Sequence, residues 1–273
     1  MNRYAQMFHT LSQKDEAAFI PFTTLGFPDF KRSINIIEIL VEAGADAIEL
    51  GIPFSDPIAD GPIIQKANIQ ALESGITPHD CNQIIKAIRT KHPSLPIGIL
   101  TYGNLVVSNG VDAFMKNLRD AGADSILIAD LPTFEAGPFR KIARRLGLDY
   151  INILPPNPSP QLLSEIAQTG MGYTYLLGRA GVTGTMDGPI LPDARLLSEL
   201  EAYGGPPAIQ GFGISAPSHL SAAINKGAKG VISGSKVISL IEDGLRSDFR
   251  EFSVLKSYLK SMKAVTRGPE IDA

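Results

Sequence analysis

Two carboxylates stand close together in an apolar setting early in the chain. Glu49 lies inside the run Ala47–Gly51, AIELG, and Asp60 ends the loop PFSDPIAD that follows. A carboxylate buried in a strand is costly unless it is partnered or protonated. A carboxyl group whose pKa burial can raise is also what general acid–base chemistry uses. Period-two alternation points Ala47, Glu49 and Gly51 to one face, and Ile48 and Leu50 to the other. The small neighbours of Glu49 leave room for a substrate. Pro53, Pro57 and Gly61 restrict the loop, so Asp60 can be aimed back over Glu49. The competing role for Asp60 is capping a helix over Ile63–Ser74. Asp56, just before Pro57, reads as a turn or partner-contact residue.

A second constellation is rich in glycine. It comprises GRAGVTGTMDG (Gly178–Gly188), GFGIS (Gly211–Ser215) and SGSK (Ser233–Lys236), each following an apolar run. Backbone N–H groups and a helix N-terminus hold a phosphate without cationic side chains. Gly213, Gly234 and Ser235 are the expected phosphate-binding positions, with Gly184 reaching across from the first segment. That first loop has the length and composition of a lid, and Thr183 is its polar group best placed to reach a site. Phe22, Leu100, Leu127, Ile153 and Phe212 are read with inward parity on their strands, and Tyr102 and Tyr175 add polar tips. Such residues wall a flat, apolar substrate, with plain core packing as the alternative for each.

These groups must be positioned by a regular scaffold. Three segments repeat one pattern of helix end, glycine and strand: EAGADAIEL, DAGADSILI and NKGAKGVIS. Gly44, Gly122 and Gly227 sit where a helix takes a left-handed terminal residue. Strands are expected near Phe19–Thr24, Ala47–Gly51, Ile97–Tyr102, Ser125–Asp130, Tyr150–Leu154, Tyr173–Leu177, Ala208–Gly211 and Gly230–Ser233. Apolar faces such as Ile84, Ile85 and Ile88 mark helices between them. Tyr4, Met7, Phe8 and Leu11 mark an extra N-terminal helix, and Leu255, Tyr258, Leu259 and Met262 a closing one. Eight alternating strands and helices predict an α/β fold, a single (β/α)8 TIM barrel spanning 1–273. An open doubly wound sheet competes, but TTLGFPD after the first strand is not a dinucleotide fingerprint. In a barrel, the C-terminal strand ends and following loops carry the site, where both constellations fall.

Composition narrows the chemistry. The chain has 273 residues, 44% hydrophobic and 19% charged, with a net charge of −3, so nothing suggests nucleic acid or an acidic membrane as partner. Its single cysteine, Cys81, forms no internal disulfide, and with no leader or membrane-length apolar run the expected location is the cytoplasm. No expected strand carries a lysine for a Schiff base, and His9, His79, His92 and His219 fall on helices or their flanks. No metal-ligand spacing is present, so no metal is expected. What remains is metal-free acid–base work by carboxylates on a phosphorylated substrate with an apolar portion.

The segments PFSDPIADGP, YTYLLGRAGVTG, IQGFGIS and GVISGS closely resemble those of the α subunits of tryptophan synthase, and the resemblance runs nearly end to end, from NRYAQMF to the closing helix. It implies retro-aldol cleavage of indole-3-glycerol phosphate to indole and glyceraldehyde 3-phosphate. It implies Glu49 and Asp60 as the catalytic carboxylates and Tyr175 as an active-site tyrosine. Phosphate contacts would fall at Gly184, Gly213, Gly234 and Ser235, and indole contacts at Phe22, Leu100, Leu127, Ile153 and Phe212. The departures are FPD after Gly26, and Thr101 and Ala180 beside matching residues; none removes a catalytic group. The resemblance also implies an α2β2 complex with a β subunit that carries pyridoxal phosphate, leaving no cofactor on this chain. Asp56, Pro57 and the 104–109 region would be contact points. A stand-alone lyase, a phosphosugar isomerase on a similar barrel, and a non-catalytic regulatory subunit are the alternatives.

Overall fold

The computed structural model describes residues 2–177, 191–247 and 252–267. Within these, nine parallel strands form one sheet: β1 (Ala18–Thr24), β2 (Ile48–Gly51), β3 (Ile97–Thr101), β4 (Ser125–Ile128), β5 (Asp149–Tyr150), β6 (Asn152–Leu154), β7 (Thr174–Leu176), β8 (Ala208–Gln210) and β9 (Gly230–Ser233). The spatial order runs β5-β4-β3-β2-β1-β9-β8-β7-β6. Its two ends, β5 and β6, are separated in sequence only by Ile151. The expected fifth strand is therefore one strand that pairs first with β4 and then with β7. That exchange brings the sheet round into a nearly closed barrel, which agrees with the eightfold alternation of the sequence.

The helices are α1 (Arg3–Ser12), α2 (Phe30–Glu42), α3 (Pro62–Glu73), α4 (Pro78–Lys91), α5 (Gly103–Ser108), α6 (Val111–Ala121), α7 (Gly137–Leu146), α8 (Pro160–Thr169), α9 (Ala194–Ala202), α10 (Pro217–Asn225), α11 (Ser235–Arg246) and α12 (Ser253–Ala264). Their ends follow local chemistry. Asn2 and Asp29 accept backbone N–H bonds at the starts of α1 and α2, and Thr77 with Asp80 forms a reciprocal capping box on α4. Gly44, Gly122 and Gly227 all have φ near +105°, the backbone region that the repeated helix–glycine–strand pattern requires.

Strand register sorts the side chains into two populations. Ile48, Leu50, Ile97, Ile99, Ile126 and Ile128 pack outward against Ile84, Ile85 and Ile88 of α4 and against α6. Phe22, Glu49, Gly98, Ser125 and Asp149 are successive register partners at one level of the barrel, and Gly51, Leu100 and Leu127 at the next. Glu49 thus faces inward, among apolar neighbours that include Ala47, Phe22, Tyr173 and Leu127. α1 lies against this interior from outside the ring. Its Tyr4 hydroxyl meets the Ser125 hydroxyl at 3.0 Å, in space left by the missing side chain of Gly98.

Candidate active site

Because all strands are parallel, their C-terminal ends share one side of the molecule. Glu49 comes from the middle of β2, and only 2% of it is exposed. The Tyr173 hydroxyl donates to its Oε1 at 2.9 Å. Burial, above all, raises its pKa from the ordinary 4.5 to about 7; the Tyr173 bond pulls the other way, and the nearby Asp60 raises it further. At neutral pH this carboxyl group is divided between its two protonation states, which suits a group that both gives and takes a proton.

Asp60 is 6% exposed. Its side chain does not cap α3, because the N-cap position falls to Gly61, which has no side chain to cap with. Instead it turns inward, where Asn68 Nδ2 of α3 lies 3.4 Å from Oδ2, and Gln65 Nε2 donates to its carbonyl at 2.8 Å. Burial pushes its pKa up to about 6, against the lowering influence of Tyr102 and Asn68. The Tyr102 hydroxyl is buried beside Asp60 but makes no hydrogen bond of ordinary geometry. Its ring stacks on Phe54 of the same loop, with centroids 5.3 Å apart. The β2–α3 loop is thereby held to the barrel at both its start and its end. Glu49 feels the charge of Asp60, and the two carboxyl groups are separately tuned, with Asp60 the stronger acid.

Tyr175 is buried on β7, and its hydroxyl donates to the Gly211 carbonyl at 2.9 Å. The ring passes so close that a Cβ on Gly211 would lie 2.0 Å from Tyr175 Cζ, so only glycine fits there. Phe22 crosses Gly51 in the same way, at 2.8 Å from the hypothetical Cβ. Leu100, Leu127 and Ile153 line the interior with them. Phe212 differs from its expected parity. β8 ends at Gln210, Ile209 is its inward residue beside Tyr175, and Phe212 lies half-buried on the loop beyond. Gly213, also on that loop, has φ +74°. Gly234 caps the N-terminus of α11, and Ser235 is that helix's first residue. Thr183 and Gly184 lie outside the described residues.

Sequence reasoning missed Tyr173 as the partner of Glu49 and Asn68 as the partner of Asp60. Both had a signal. Tyr173 shares the parity of Tyr175, and Asn68 is the one amide on a helix face otherwise formed by Ile64, Ala67 and Ala71. Among the described residues no group of acidic, histidine or cysteine side chains could hold a metal ion. Cys81 is buried in α4, and burial pushes its thiol up to about 12, which makes it a structural residue rather than a nucleophile.

This arrangement has close counterparts. The family model described as "Tryptophan synthase alpha chain" matches residues 8–267. The tryptophan synthase alpha chain of Salmonella typhimurium is 48% identical over 267 residues, which is 98% of this chain and all of the relative. A structure of Mycobacterium tuberculosis tryptophan synthase matches with a TM-score of 0.87 at 29% identity, covering 98% of this chain and 99% of that one. The tryptophan synthase subunit alpha of Legionella pneumophila matches at 0.85 and 28% identity, covering 97% and 98%. With a matching fold and two buried carboxylates at the C-terminal end of the barrel, the chain belongs to the tryptophan synthase alpha chain family.

Proposed function

We propose that Glu49 and Asp60 carry out the reaction of this family, the cleavage of indole-3-glycerol phosphate to indole and glyceraldehyde 3-phosphate. The observation that carries the reading is the Glu49 carboxyl group, buried, held by Tyr173 and poised near pH 7. Protonated Glu49 delivers its proton to C3 of the indole ring, and the ring nitrogen becomes a positively charged N–H. Ionised Asp60 faces that charge and stabilises it. The Glu49 carboxylate then takes the proton of the glycerol hydroxyl next to the ring. The carbonyl of glyceraldehyde 3-phosphate forms, the carbon–carbon bond breaks, and its electron pair returns to the ring to restore neutral indole. Glu49 ends protonated, as it began.

In this reading Phe22, Leu100, Leu127, Ile153, Tyr175 and Phe212 hold the indole and its linkage, with Thr183 a further substrate-binding residue. Gly184, Gly213, Gly234 and Ser235 bind the phosphate, so binding energy far from the reacting bond fixes orientation. The whole chain acts as one barrel domain. It works in the cytoplasm, in an α2β2 complex whose β subunit carries the pyridoxal phosphate, with Asp56, Pro57 and the 104–109 region at the contact. Ile58, 68% exposed, and Val107, 57% exposed, are large apolar residues within or beside those segments and support an interface there. No described helix is long and apolar enough to cross a membrane.

The test is indole release from indole-3-glycerol phosphate by the purified chain, alone and with a β subunit. Slow release that rises steeply with the partner supports the reading. Fast release unaffected by the partner favours a stand-alone lyase, and no release in either case overturns the catalytic roles.

A further inference from the structure

The loop Gly211–Ser215 after β8 has an unusual pattern of support. Three of its carbonyl oxygens accept from side chains, and a fourth lies beside one. The Gly211 carbonyl accepts from Tyr175 at 2.9 Å, the Phe212 carbonyl from Gln210 Nε2 at 3.1 Å, and the Ile214 carbonyl from Ser233 Oγ at 2.9 Å. The Gly213 carbonyl lies 3.1 Å from His219 Nδ1, a nitrogen that also faces the Ser215 amide at 3.4 Å and its hydroxyl at 3.3 Å. These partners come from β7, β8, β9 and α10. Holding a peptide's carbonyl fixes the direction of the N–H on its other side. No described residue accepts from the amides of Phe212, Gly213 or Ile214. A run of pinned carbonyls with unengaged amides is an anion-binding backbone held open in advance.

Ser233 has a special place in this set. It is fully buried, ends β9, and immediately precedes Gly234 and Ser235 at the α11 N-terminus. It also meets the Tyr258 hydroxyl of α12 at 2.8 Å. Ser233 has one hydroxyl hydrogen, which it donates to Ile214, so it must accept from Tyr258. The order is Tyr258 to Ser233 to the Ile214 carbonyl. One side chain thus ties the β8 loop to the strand that leads into the α11 N-terminus, and the closing helix backs it.

We infer that Ser233, backed by Tyr258, is a positioning residue that sets the spacing between the two halves of the phosphate site, the Gly213 loop and the Gly234–Ser235 helix start. This rests on the phosphate site proposed above. The test measures binding of glycerol 3-phosphate and, separately, of indole, to the full chain and to Ser233→Ala, Tyr258→Phe and Ser235→Asp. Removing Ser233 Oγ should weaken glycerol 3-phosphate roughly 3- to 10-fold, the scale of one lost hydrogen bond, and leave indole affinity within about twofold. Tyr258→Phe, which keeps the donation to Ile214, should weaken it by roughly twofold to threefold. KM for indole-3-glycerol phosphate should rise by the same factors. Ser235→Asp puts a negative charge at the helix start and should nearly abolish glycerol 3-phosphate binding. Glycerol 3-phosphate affinity unchanged in both Ser233→Ala and Tyr258→Phe, beside a defective Ser235→Asp, overturns the positioning role. Equal losses for indole and glycerol 3-phosphate also overturn it, since they report general unfolding. An intact Ser235→Asp overturns the phosphate site itself.

Discussion

Replacing Glu49 with glutamine separates the carboxyl group's charge from its shape. The amide is nearly isosteric, and its oxygen can still accept from Tyr173. The parent group is wholly buried, and its pKa moves from 4.5 in the unfolded chain to about 7 in the fold. The native state therefore binds this proton more tightly than the unfolded state does. Stability from this group is greatest at low pH and is lost as pH rises from 4.5 through 7, where the buried site must ionise. The shift is worth on the order of 3 kcal/mol. Glu49→Gln has no such ionisation. Its unfolding free energy relative to the parent should therefore climb by about 2–3 kcal/mol between pH 5 and pH 8, whatever constant offset the amide introduces. Contributions from the other raised carboxyl groups, Asp46, Asp60 and Asp149, appear in both proteins and cancel to first order. Urea unfolding at a series of pH values measures the difference directly. The same variant should lose about 10²- to 10⁴-fold in kcat while still binding indole and glycerol 3-phosphate. A stability difference independent of pH would refute the buried, proton-holding state of Glu49. A Gln variant that still turns over would refute its catalytic role.

Other substitutions probe the neighbours. Tyr173→Phe removes the hydrogen bond that favours the ionised form, so the pKa of Glu49 should rise by roughly 1–2 units. Since Glu49 enters the reaction protonated, the alkaline limb of kcat/KM should move upward from near pH 7, and an unmoved limb would exclude Tyr173 as its tuner. Asp60→Asn should lower kcat about 10²-fold and abolish the acid limb expected near pH 6, where Asp60 loses its charge; a persisting limb there would assign it to another group. Gly211→Ala forces the Tyr175 ring aside and breaks its bond to the loop, so it should cost about 1–3 kcal/mol in stability and raise KM. A crystal structure with Tyr175 unmoved would contradict that account.

Much of this protein is determined by local order along the chain. The alternation of apolar runs, amphipathic helices and terminal glycines is set by neighbours within a few residues, and it suffices for the barrel and the inward direction of Glu49. The helix-terminal role of Gly44, Gly122 and Gly227 was legible because φ near +105° is a backbone property that glycine alone tolerates easily. Apolar surroundings likewise announced that Glu49 would be costly to ionise. Only the tertiary structure decided what offsets that cost. Tyr173 is 124 residues away in sequence, and its hydroxyl reaches Glu49 because strand register, not sequence distance, sets which side chains share a level. The same holds for Asp60. Its loop chemistry allowed either a helix cap or an inward acid, and the choice fell to Gly61, Tyr102 and Asn68, which meet only when the loop closes over the barrel. Phe212 shows the reverse case: it lies past the end of β8, where strand parity no longer says which way a side chain points. Periodicity holds as far as the hydrogen-bonded ladder continues; beyond it, packing from other elements takes over.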